Sequence, residues 1–193
     1  LTAITALPSA VSGGAMTLIS TQTASSSATL SFTSGIDSTY DEYLITYTDI
    51  HPATDDVEFS VNFSSDTGSN YNVSKTSTYI YTEHGENDAG GAVNYNGSGN
   101  RDLANGTGDQ FLITDVGGDN DQSVSGHLHL FNPSSTTFVK HFMAKNTVAL
   151  ENDYNMSTYV AGYANTTSVV DAVQFKMSSG NIDSGVIKLY GIS

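Results

Sequence analysis

The chain has 193 residues, with six Lys and Arg against twenty Asp and Glu, a formal charge of −14 carried by only 13 % charged residues. That length allows one sizeable core or at most two small ones, and a single domain is the starting expectation. Roughly a quarter of the residues are Ser or Thr, so uncharged polar side chains make the surface. An acidic chain with few cations gains little from counterion release on phosphate backbones and is repelled by anionic lipid, which argues against nucleic-acid and membrane partners. Without Cys or Trp there is neither a disulfide framework nor a Cys-based zinc site.

From the N-terminus, residues 1–14 (LTAITALPSAVSGG) alternate small apolar residues, then reach Pro8 and Gly13-Gly14. They lack the basic n-region of a secretory signal and read as an extended arm or linker. Leu1, Ile4, Leu7 and Val11 are its candidate partner-binding residues, and an edge strand is the alternative. Residues 15–193 read as one domain. Thr29 to Phe32, Tyr43 to Tyr47, Val57 to Phe63 and Gly126 to Leu130 alternate at period two. Thr137 to Ala144, Thr158 to Tyr163, Val169 to Met177 and Val186 to Tyr190 are rich in Val, Ile, Thr, Tyr and Phe, which suit a pleated surface. About ten or eleven such segments, with no sustained helical period, predict an all-β antiparallel sandwich. Val57, Phe59, Val61 and Phe63 are expected in the core with Glu58, Ser60 and Asn62 on the wet face. The stretch from Gly85 to Asp109 holds seven Gly and few apolar residues. It is too long for a hairpin turn and reads as a long loop, either functional or plainly solvated.

Few constellations carry chemistry. His127 and His129 project from one strand face, with His141 as a possible third ligand, but no carboxylate spacing completes a metal set, and solvent-facing imidazoles are the simpler reading. Asp115, Asp119 and Asp121 in DVGGDND offer hard oxygen ligands on a Gly-rich turn, a calcium arrangement whose composition is also that of ordinary turns. Calcium is the one cofactor entertained. No nucleophile stands beside a base, and no paired carboxylates, Gly-x-Ser-x-Gly or HExxH motif appears, so the chain does not read as an enzyme. Tyr71, Tyr79, Tyr81 and Tyr95, near the long loop, are candidates for glycan or interface contact, having an apolar ring and a wet hydroxyl.

Five stretches suggest a family: Met16 to Ala24 (MTLISTQTA), Phe32 to Tyr43 (FTSGIDSTYDEY), Thr48 to Asp55 (TDIHPATD), Leu130 to Thr137 (LFNPSSTT) and Ser178 to Ile192 (SSGNIDSGVIKLYGI). In these the chain resembles small virion proteins of marine tailed bacteriophages. The resemblance implies a structural component with a jelly-roll-like sandwich, on the outer surface of the capsid or in a tail fibre, and it carries over no catalytic or metal residue. It leads us to expect a capsid decoration (cement) protein that partners the major capsid protein or other virion proteins. The alternatives are a tail-fibre domain contacting host glycan and a calcium-dependent lectin or glycan hydrolase. Sandwich edges must be covered, and with so little Lys to blunt them a homo-oligomer, a trimer, is expected.

Overall fold

The computed structural model describes residues 15–193; the arm residues Leu1, Ile4, Leu7 and Val11 lie outside them. Twelve strands follow in chain order: β1 (Met16–Thr23), β2 (Leu30–Phe32), β3 (Glu42–Pro52), β4 (Val57–Ser64), β5 (Lys75–Gly85), β6 (Gly90–Tyr95), β7 (Gln110–Val116), β8 (Val124–Phe131), β9 (Lys140–Ala149), β10 (Tyr154–Ala164), β11 (Ala172–Met177) and β12 (Ile182–Ile192). They form an eight-stranded sheet in the order β1-β12-β3-β8-β9-β10-β5-β6 and a four-stranded sheet in the order β2-β11-β4-β7. The neighbours pair antiparallel, and the two sheets pack as a β-sandwich. The all-β expectation holds.

The chain crosses between sheets at β1 to β2, β2 to β3, β3 to β4, β4 to β5, β6 to β7, β7 to β8, β10 to β11 and β11 to β12. Two hairpin pairs, β5-β6 and β9-β10, both stay in the large sheet and widen it to eight strands. This widening produces the broad outer face described below.

The core follows the alternation. Val57, Phe59, Val61 and Phe63 are all buried, as are Leu128 and Leu130. Phe59 stacks on Phe175 at 5.7 Å, and Tyr47 meets Phe59 edge-on at 5.3 Å. Rings at these separations add to what their buried area contributes. A buried polar cluster joins β9, β10 and β7: Asn146 Nδ2 donates to Leu112 O (2.9 Å) and Thr158 Oγ1 (2.7 Å), and the Thr158 hydroxyl donates to Leu112 O (2.6 Å).

Two sequence expectations change here. Ser60 and Asn62, placed on a wet face, are buried. Asn62 is covered by Lys75 and by Thr107 and Asp109 of the segment before β7. The Gly85 to Asp109 stretch is not one loop. It contains β6, paired to β5 from Ile80–Tyr95 to His84–Gly90, and then a segment laced to β5 by Ser77 N to Leu103 O (2.9 Å) and Lys75 N to Gly106 O (2.8 Å). Gly90 and Gly91 take positive φ (88° and 109°) at the start of β6, a conformation that glycine adopts without steric cost.

Candidate functional site

The outer face of the large sheet offers the most extensive arrangement of unusual side chains. Strand alternation sends Tyr43, Ile45 and Tyr47 inward from β3 and Leu44 and Thr46 outward. Repeated over neighbouring strands, this builds two rows. One runs Leu18, Tyr190, Leu44, His129, Met143, Ala161, Thr78; the next runs Lys188, Thr46, His127, Lys145, Tyr159, Ile80, Tyr95. Leu18, Met143, Tyr159 and Tyr95 are about half exposed or more, at 52, 50, 49 and 59 %. Large apolar side chains scattered singly over a surface are ordinary, whereas a continuous set on one sheet face marks an interaction surface.

Beside the first row, on the side away from the second, lies a hollow of about 470 Å³ bounded by Phe131, His141, Met143, Ala161, Tyr163 and Thr78. It exists because Ala161 and Thr78 are small where their neighbours Met143 and Tyr163 are large. His141 and Tyr163 form one wall, edge to face at 6.2 Å.

Few charges lie between. Lys145 Nζ sits 5.4 Å from the Tyr159 ring centroid, a cation–π contact. His129 Nδ1 pairs with Glu42 Oε1, and the His129 ring stacks on Phe131. His127 stands edge-on to His129 at 5.4 Å. Burial first, then the nearby His129 and Lys145 charges, hold the His127 imidazole below its ordinary value.

This arrangement does not gather a metal set. His127 and His129 share a face as expected, but His141 aligns with the Phe131 end of β8, one row beyond the Met143–His129 pair. Among the described residues no three His, Cys, Asp or Glu side chains are placed to hold a metal ion. The calcium expectation fares the same way. Asp115 is the penultimate residue of β7, just before Val116, and accepts from Thr114 Oγ1 at 2.7 Å. Asp119 and Asp121 instead line a polar hollow with His84, Glu86 and Asp153. Asp121 also faces a second hollow with Asp49, His51 and Asp183. Asp119, Asp121, Glu86, Asp153, Asp49 and Asp183 thus gather around these two neighbouring hollows, and none of them belongs to the two rows.

The four tyrosines separate. Tyr79 is a core residue, 1 % exposed, and is withdrawn as a contact candidate. Tyr71 and Tyr81 are half-buried, Tyr81 packed against the core. Tyr95 alone is freely exposed, its hydroxyl donating to Asp102 Oδ2 at 2.5 Å. Sequence reasoning missed Met143 and Tyr159. The alternation of β9 and β10 was the available signal, since Phe142 and Val160 next to them are the inward residues.

No protein-family model matches the chain, and none of the curated proteins is similar to it. Among solved structures, a Bacteroides ovatus protein of unknown function is similar over 55 % of this chain and 45 % of its own, at 10 % identity and a TM-score of 0.31. The chain thus spans less than half the length of that protein.

Proposed function

We propose that the chain is a structural component of a bacteriophage virion, a decoration protein that assembles as a homotrimer on the outer surface of the head and cements the major capsid protein. The resemblance in the five stretches named above suggests the virion. The strand order supports its finer fold: β1-β12-β3-β8 over β2-β11-β4-β7 is the interleaving of two Greek keys in a jelly roll, with β5-β6 and β9-β10 as additions to one sheet. The observation that carries the assembly role is the set of exposed large apolar side chains, Leu18, Met143, Tyr159, Ile80 and Tyr95, within the two rows on the large sheet. A second copy is the occupant that fits them. The acidic side chains around the two hollows lie outside the rows, so two acidic chains meet away from them, and Lys145 of one copy has Glu42 of another to face.

The test is the position and copy number of the chain in intact particles. A cement protein is present in many copies on the capsid lattice, and heads that lack it lose DNA at lower temperature or under osmotic shock. A few copies confined to the tail would instead support a tail-fibre domain. Tyr95 and Val93, exposed on the edge strand β6, give that second reading its contact residues. Loss of host adsorption on deleting residues 86–100 would then favour it.

A further inference from the structure

Two of the six cationic side chains, Lys75 and Lys140, are fully buried. Their surroundings differ in kind. Lys140 Nζ donates to three main-chain carbonyls, Ser135 O (2.5 Å), Phe138 O (3.0 Å) and Thr166 O (3.1 Å), so it ties loops together. Lys75 Nζ donates to Val73 O (2.8 Å) and to the side-chain carboxamide oxygen of Asn62 (2.6 Å). Asn62 is itself 2 % exposed. Its Nδ2 donates to Asp109 Oδ1 (2.9 Å) and Thr107 O (3.2 Å), while Asp109 Oδ2 accepts from Lys176 Nζ (2.7 Å). The Phe63 ring, 6.0 Å from Nζ, helps to close the site. A buried amine and a buried primary carboxamide are therefore held in contact, with the partly exposed Asp109 carboxylate next in line.

We propose that Lys75 and Asn62 condense into an intramolecular isopeptide bond, with Asp109 moving the proton. The uncharged Lys75 amine attacks the Asn62 carboxamide carbon. With Nζ 2.6 Å from the carboxamide oxygen, that carbon, one C=O bond (about 1.2 Å) beyond it, lies roughly 3–3.5 Å from the amine. The new bond joins Nζ to Cγ. Asp109 takes the proton shed by Nζ and delivers it to Nδ2, where it is already hydrogen-bonded, and the Cγ–Nδ2 bond breaks to release ammonia. Atoms balance as amine plus carboxamide giving secondary amide plus ammonia. The step is redox-neutral and consumes no co-reactant. Burial lowers the Lys75 ammonium to about 8, which populates the free amine near neutral pH. The bond ties β4 of the small sheet to β5 of the large one, a covalent link between sheets in a chain without Cys.

The experiment is the intact mass of the purified full chain under denaturing conditions, followed by proteolysis. The expected mass is about 17 Da below the sequence mass, one ammonia. Trypsin should fail to cut after Lys75, and Asp-N, which cuts before Asp66, should release the Asn62 and Lys75 peptides joined. The Lys75→Met, Asn62→Ala and Asp109→Ala variants should return to their full sequence masses. Full mass in the unmodified chain, with a free cut after Lys75, overturns the proposal. So does a 17 Da deficit that persists in Lys75→Met, because that deficit would be a succinimide at an asparagine, which joins no peptides. The digest of the unsubstituted chain decides the question even where a variant fails to fold.

Discussion

Tyr47 on β3 donates its hydroxyl hydrogen to the carboxamide oxygen of Asn146 on β9, reaching it across β8 at Gly126, which is the register partner of both residues. A Cβ on Gly126 would lie 2.5 Å from Lys145 O and 2.8 Å from the Tyr47 ring. Glycine is required here by the close approach of two polar groups inside the core.

Stability should show this directly. Tyr47→Phe leaves the Asn146 oxygen buried without a donor and should cost about 1–3 kcal/mol. Gly126→Ala forces the ring or a main-chain carbonyl to move and should also destabilise the fold. Both effects are read as a lowered urea midpoint at constant m value.

The aromatic centre gives a larger effect. Phe175 is fully buried against Phe59 and Tyr47. Phe175→Ala should cost roughly 3–5 kcal/mol through lost burial and the cavity left behind. Thermal or urea unfolding measures it.

Lys140 should act as a loop clasp. Lys140→Met removes the donor from three carbonyls and should cost roughly 1–3 kcal/mol. Hydrogen exchange should speed up at residues 132–139 and 164–168, while β4 and β11 stay protected. Uniform loosening of the whole chain would contradict this local role.

The His127 titration carries a definite sign. Its folded value lies below the unfolded one, near about 6.5. As pH falls through the interval between them the unfolded chain binds the proton first. The contribution of His127 to stability is therefore present above that interval and is lost as it is crossed toward acid. In an NMR titration the His127 ring should show a midpoint below that of an unfolded reference peptide, and His129→Gln or Lys145→Gln should raise it.

Much of this was legible in the sequence where neighbours along the chain decide the outcome. The alternation over Val57 to Phe63 and His127 to Leu130 places those side chains on the correct faces because a strand has period two. The same rule fails for Ser60 and Asn62, since only the distant segment before β7 and the Lys75 side chain cover Asn62. It fails for Tyr79 because Thr78 to Tyr81 reads Thr-Tyr-Ile-Tyr, three large apolar residues in succession with no phase. β6 was hidden by Gly90 and Gly91, which carry little strand preference. Nothing along the chain marks Lys75 and Lys140 as buried, since lysines are seldom fully buried unless paired. Asp115, Asp119 and Asp121 are close in sequence, but β7 carries the first away from the turn that holds the other two.

The outer face of the large sheet as a self-association surface is the centre of the account, and light scattering on a sizing column at micromolar concentration tests it most directly. The account predicts a trimer that falls to monomer when Met143→Glu and Tyr159→Glu are combined, with far-UV circular dichroism unchanged because both side chains point to solvent in one copy. A monodisperse monomer for the unsubstituted chain, or a trimer that survives both substitutions, would contradict it.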